Sequence, residues 1–150
     1  MRYSGNKITP ILISVRKDFA RAIVNGDKKI EFRRRASEEA FRPGTTLYIY
    51  STVPDCAVIG SAEVAKFESL TVENLTAAEY LQSGCIGEGE LRDYFIGVTS
   101  GYAIHLCNPL RFGRRVLLKD IPARAPLRPP MSYTYIDESA QAYLRDLGGL

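Results

Sequence analysis

The sequence predicts an α+β fold: a small, mostly antiparallel β-barrel flanked by short helices. Two observations lead there. Runs with strand-like patterning outnumber full helical patterns, and the two kinds do not alternate as they would around a parallel sheet. The chain also has 150 residues, 45% hydrophobic and 25% charged, enough to build a core without a staple. We expect one domain over residues 1–150, closed by a C-terminal helix at about 137–147.

The elements follow in order. Residues 1–9 are polar and expected to be loosely held. Pro10-Ile11-Leu12-Ile13-Ser14-Val15 is a short apolar run suited to a buried strand. Residues 17–25 place Phe19, Ala22 and Ile23 at helical spacing, so a helix should lay this stripe on the core. A basic strand follows at about 28–35, and Arg42-Pro43-Gly44-Thr45 reads as a turn. Residues 46–52 alternate, with Leu47 and Ile49 on one face and Tyr48, Tyr50 and Thr52 on the other. Another strand pattern spans 56–67, with Gly60 a candidate bulge. Helix starts are expected at Thr71 and Thr76, the latter matching a capping box with Glu79, and a further short helix at 88–96. Residues 102–107 return to strand, leading to a hairpin-like turn at Gly113. The Pro-rich stretch 122–130 is extended.

Composition excludes several classes. No apolar run approaches the roughly 20 residues of a membrane span, and the N-terminus lacks a signal-peptide core. Cys56, Cys85 and Cys107 are odd in number and widely spaced, and His105 is the single histidine. That pattern argues against a disulfide framework and a structural zinc site. The expectation is a reduced, cytoplasmic chain with no metal and no cofactor.

The net charge of +3 hides an asymmetry: residues 1–50 carry +6, residues 51–100 carry −6, and residues 101–150 carry +3. Basic ends flank an acidic middle, so phosphate binding is expected on a face built from the first and last thirds. The strongest local concentration is Gly26-Asp27-Lys28-Lys29-Ile30-Glu31-Phe32-Arg33-Arg34-Arg35, with five cations around Glu31. Gly26 suits the left-handed turn at a helix C-terminus. In a regular strand Glu31, Arg33 and Arg35 share one side, and the guanidiniums hold the carboxylate ionised and aimed. Lys28 would face away from Glu31 and Arg33 unless the chain turns or bulges at 27–29. A solvated basic strand without a ligand has the same pattern.

Gly26-x-Lys28-x-x-Glu31-x-Arg33 resembles the signature of the ASCH domain, a branch of the PUA-like superfamily. Leu12-Ile13-Ser14-Val15 and its helix precede the motif as in that family. Leu47 to Pro54 with Ala57-Val58-Ile59-Gly60 resembles the family's second block. Pro129-Pro130-Met131-Ser132-Tyr133 resembles its Pro-Pro-Gln-Ser segment, with Met131 in place of glutamine. The resemblance covers about residues 10–135 and implies a five- or six-stranded barrel with the signature residues lining a cleft. It also implies an RNA- or nucleotide-binding module acting in RNA metabolism, translation or transcription; some such proteins are ribonucleases, others hydrolyse acylated cytidine. Those hydrolases carry a nucleophilic threonine where this chain has Glu31, which argues against that activity here.

Three readings remain. The first is an RNA- or nucleotide-binding protein with a basic cleft, bearing Lys28, Glu31, Arg33, Arg35, Tyr48, Arg114 and Arg115. The tyrosines Tyr48 and Tyr50 either stack an unpaired base or belong to the core. The second is a slow, metal-independent ribonuclease using the RNA 2′-hydroxyl as nucleophile, with Lys28, Ser132 and Tyr50 as catalytic candidates. The third is a protein-interaction module docking through the acidic helical segment 71–96. His105 reads as a structural strand residue. Arg111, Arg114 and Arg115 either extend the basic face or cap a hairpin.

Overall fold

The structure, a computed structural model, describes residues 7–122 and 127–150. The expectations for residues 1–6, and for 123–126 of the Pro-rich stretch, lie outside the described residues. The elements run β1 (Ile11–Val15), α1 (Lys17–Val24), β2 (Ile30–Arg33), β3 (Thr46–Ser51), β4 (Ala57–Thr71), α2 (Val72–Leu75), α3 (Ala78–Gly84), α4 (Glu88–Tyr94), β5 (Ser100–Val116), β6 (Tyr133–Tyr135) and α5 (Glu138–Leu147). No described helix is long and apolar enough to cross a membrane.

The six strands form one sheet in the order β2-β5-β4-β3-β1-β6. It is antiparallel except for the β1–β3 pair, and it curls into a half-barrel. The α+β, mostly antiparallel reading therefore holds. The long strands β4 and β5 pair with register shifts between Val58 and Gly60, Ser61 and Glu63, and Val64 and Lys66, irregularities of the kind that bend a strand. One shift sits beside Gly60, the predicted bulge. A Cβ there would press on the Leu110 carbonyl and lie 2.6 Å from Val24 Cγ1, so only glycine lets α1 and β5 approach this closely.

Both faces of the central strands are buried. Ile11, Ile13, Leu47 and Ile49 pack under α1, with Ile23, Phe41 and Ile104. Leu12, Tyr48, Tyr50 and Val58 pack on the other face, beneath Ala140 and Leu144 of α5. A third cluster joins Leu75, Leu91 and Phe95 of the acidic helical segment to Ile30, Phe32 and Ala103.

Three local expectations are corrected. Gly113 does not make a hairpin turn. Residues 112–115 of β5 instead form a bulge opposite the single Ile59, since Arg111 pairs with Gly60 and Val116 with Val58, and Phe112 within it is buried. The capping box at Thr76 does not form, because α3 starts one residue later, after Ala77. The Thr76 hydroxyl donates back to the Val72 and Glu73 carbonyls and finishes α2 instead. Thr71 does cap α2, accepting from the Asn74 N–H at 3.2 Å. The basic strand is shorter than predicted, because Lys28 still belongs to the turn after α1.

Candidate functional site at the half-barrel seam

The half-barrel leaves β2 and β6 as its edges, and side chains bridge them where no strand pairing does. Arg33, at the end of β2, crosses the seam. Its Nη2 donates to the Ser14 carbonyl on β1 at 2.7 Å, and its Nη1 to Ser132 Oγ, just before β6, at 3.3 Å. Its Nε and Nη2 also reach Glu31 Oε2, at 3.0 and 2.8 Å. The strand alternation inferred from sequence sets up this last contact, because Glu31 and Arg33 project from the same side of β2. Ser14 completes the seam: its hydroxyl donates to the Pro130 carbonyl at 2.6 Å, and its N–H to the Ser132 carbonyl at 2.9 Å. The two prolines thus deliver Ser132 to a fixed place.

Lys28 joins this group through the turn that the sequence required. Gly26 takes φ 88°, and the Asp27 and Lys28 N–H groups both donate to the Ala22 carbonyl, at 2.9 and 3.0 Å. Since β2 begins only at Ile30, Lys28 is freed from strand alternation. Its ammonium donates to the Gly84 carbonyl, lies 3.7 Å from Glu31 Oε1 and sits 4.2 Å from the centre of the Phe19 ring. Lys28 is 2% exposed and Glu31 6%. Burial pushes the Lys28 ammonium below its ordinary value of 10.5, and the neighbouring Glu31 carboxylate opposes the shift.

These residues line a cleft of about 510 Å³. One wall is Arg16, just before α1, with Phe19 of α1; the floor is Lys28, Glu31, Phe32 and Arg33; the far wall is Ile86 and α4, with Glu90, Leu91, Asp93 and Tyr94. Arg34 fixes that far wall, donating to the Tyr94 and Ile96 carbonyls at 2.9 and 2.7 Å. The expectation of a basic cleft is corrected here. Its cations are Arg16, Lys28 and Arg33, and its carboxylates are Glu31, Glu90 and Asp93, so the formal charges balance. Glu90, from the acidic middle of the chain, pairs with Arg16 at 2.7 Å, whereas Lys28 and Arg33 find their carboxylate in Glu31 of β2 itself.

A search of family models finds no match for the chain. The chain is 35% identical over 127 residues to a protein named ASCH domain-containing ribonuclease from Zymomonas mobilis, covering 83% of this chain and 82% of that protein. The chain belongs to the ASCH family. Its fold superposes on the crystal structure of the ASCH protein from Zymomonas mobilis with a TM-score of 0.84, at 32% identity, over 93% of this chain and 95% of that one. Two single-residue variants of that protein, a tyrosine-to-phenylalanine and a serine-to-alanine change, have also been crystallised. They match with TM-scores of 0.84 and 0.82, at 31% and 32% identity, over 93% of this chain and 98% and 96% of theirs.

The remaining sequence candidates of this ASCH chain fall in different places. Tyr48 offers no stacking face: it is 0% exposed, packed near Phe112, and its hydroxyl accepts from Gln141 Nε2 at 2.8 Å. Tyr50 is also buried, but it pairs with Ser14 across the parallel β1–β3 ladder, on the face leading to the seam. Burial, and next the Cys56 thiol, raise its phenol above the ordinary value. Arg35 is exposed beyond the end of β2 and does not line the cleft. Arg114 donates to the Leu147 carbonyl beside α5 at 3.4 Å, and Arg115 borders a separate hollow, so neither reaches the seam. His105 makes a structural network on the sheet surface: its Nε2 and the Tyr80 hydroxyl each lie 2.6 Å from Glu68 Oε1. Among the described residues no group of His, Cys, Asp and Glu is placed to hold a metal. Sequence reasoning missed Ser14, Phe19, Glu90 and Tyr94. Only Phe19 carried a signal, as the outermost member of the α1 stripe; the α4 wall is set by long-range packing.

Proposed function

We propose that this ASCH protein acts on RNA, taking an unpaired base into the seam cleft and cutting the strand beside it. The observation that carries the reading is Lys28: an ammonium enclosed between Phe19, Gly84 and Glu31, with its proton affinity lowered by burial, facing a cleft of nucleotide size. The relative named as a ribonuclease supports the same direction. In the proposed reaction the 2′-oxygen attacks phosphorus while the fraction of Lys28 that burial leaves deprotonated takes its proton. The bond to the 5′-oxygen breaks, leaving a 2′,3′-cyclic phosphate, and the departing oxygen takes up a proton. Ser132 suits that second transfer. Its Oγ accepts from Arg33, so its own O–H is left to donate toward the substrate. Arg33 acts by positioning, because Glu31, Ser14 and Ser132 already occupy its fork. A serine and a tyrosine are also the residue types exchanged in the crystallised Zymomonas variants, which adds interest to Ser132 and Tyr50.

A second reading is recognition without cleavage, in the setting of RNA metabolism. The Gly84 carbonyl and the Phe19 ring both favour a retained ammonium, which would make Lys28 a fixed cation. End-labelled single-stranded RNA, incubated with and without EDTA, separates the two. Cleavage that persists in EDTA and falls about 100-fold or more in Lys28→Met, with affinity within a few-fold, is the expected result. Intact RNA with binding lost in Arg33→Ala would establish recognition alone. No binding at low salt would overturn both.

A further inference from the structure

With its own carboxylates balancing its cations, the cleft has no surplus charge for a phosphate backbone. The surplus lies on the other flank of α1. Arg16 and Phe19 face the cleft, whereas Arg21 and Asn25 border a second hollow of about 440 Å³. Arg111, just before the bulge in β5, and Arg115, at its end, also border the hollow, and Asp55 contributes from the turn between β3 and β4. Asp55 is already committed. Its Oδ1 accepts from Arg21 Nη2 at 2.8 Å and its Oδ2 from Ser51 Oγ at 2.8 Å, and these hydrogen bonds hold it below the usual carboxylate range. Arg111 Nη1 donates to a neutral acceptor, Asn25 Oδ1, at 3.3 Å. Among the described residues no carboxylate pairs with Arg111 or Arg115 within 4.0 Å. Three guanidiniums against one carboxylate leave two positive charges in one exposed concavity, where planar forks suit phosphate oxygens.

We infer that the Arg21–Arg111–Arg115 hollow is a docking site for the sugar-phosphate backbone of an RNA strand whose base occupies the seam cleft. The site is separate from the cleft but rests on the RNA reading. It divides the labour: the balanced, aromatic-walled cleft takes a base, and the hollow takes phosphates farther along the same strand. Asp55 fixes Arg21 as a wall and leaves Arg111 and Arg115 to bind.

The test is fluorescence anisotropy of a long single-stranded RNA and of a dinucleotide over a salt series, with Arg111→Ala/Arg115→Ala, Arg111→Lys/Arg115→Lys and Arg33→Ala proteins. Both hollow arginines are exposed, so their replacement leaves the core packed. The alanine pair should bind long RNA at least about tenfold more weakly. Its log–log salt slope should fall by about 1.4, or 0.7 for each lost phosphate contact. The lysine pair should keep most of the slope, and dinucleotide affinity should stay unchanged in both. Unchanged affinity and slope in the alanine pair, with binding lost in Arg33→Ala, would overturn the hollow and leave the cleft reading standing. Loss in the alanine pair with Arg33→Ala unaffected would uphold the hollow and overturn the cleft. Absence of RNA binding by the unaltered protein would overturn both.

Discussion

Glu31→Gln is the sharpest test of how the seam is held. The Glu31 carboxylate lies 2.8 Å from Arg33 and 3.7 Å from Lys28, and side-chain exposures are 8% for Glu31, 11% for Arg33 and 1% for Lys28. Removing its charge leaves a buried ammonium with no counterion. Breaking a buried pair in this way costs about 3–5 kcal/mol. Glutamine keeps the shape and one acceptor for Arg33, so the lower end, about 3 kcal/mol, applies. For a chain of this length each kcal/mol moves Tm by about 2–4 °C, giving a drop of roughly 6–12 °C. Urea denaturation at neutral pH, run as a double-mutant cycle with Lys28→Met, isolates the cause. Once the ammonium is gone, the Glu31→Gln penalty should shrink by about 1 kcal/mol or more. A penalty under about 0.5 kcal/mol, or an equal one in both backgrounds, would refute the view that Glu31 is the counterion of Lys28.

The depressed proton affinity of Lys28 gives a pH signature. Below the ordinary value of 10.5, down to its lower folded value, the unfolded chain holds this proton more tightly, so stability rises with pH across that window. Denaturation midpoints of the unaltered protein should gain on those of Lys28→Met as pH is raised from neutrality toward 10.5; a flat difference would contradict the shift. Tyr48→Phe should cost about 1 kcal/mol through the lost Gln141 hydrogen bond while leaving RNA affinity as it was. A weakened RNA complex would return Tyr48 to the binding surface. Gly60→Ala, with a Cβ forced against the Leu110 carbonyl and Val24, should destabilise by about 1–3 kcal/mol in the same assay. An unchanged midpoint would mean that α1 shifts freely on the sheet.

Legibility followed the range of the forces. Glu31 and Arg33 meet because a strand repeats every two residues, and Gly26 permits the left-handed turn that releases Lys28; both facts are local and readable. Ser132 was legible as a catalytic candidate after two prolines, but its partner Arg33 stands 99 residues away along the chain. The acidic segment read as a separate docking face, whereas Leu75, Leu91 and Phe95 bury against β2 and bring Glu90 and Asp93 to the cleft, where Glu90 pairs with Arg16. Tyr48 and Tyr50 share an alternation that marks a face but not what covers it. Only the packing of α5 decided that Tyr48 is sealed.

The amino-acid sequence by itself determined most of the element types, the α+β class and the Lys28–Glu31–Arg33 motif, because periodicity, turn chemistry and short-range spacing act within a few residues. The tertiary structure alone decided that the sheet stops at a half-barrel bridged by Arg33, that the cleft carries no surplus charge, and that Arg21, Arg111 and Arg115 gather on the opposite flank of α1. Charge balance in a site depends on which distant segments pack together, and a linear pattern holds no record of that.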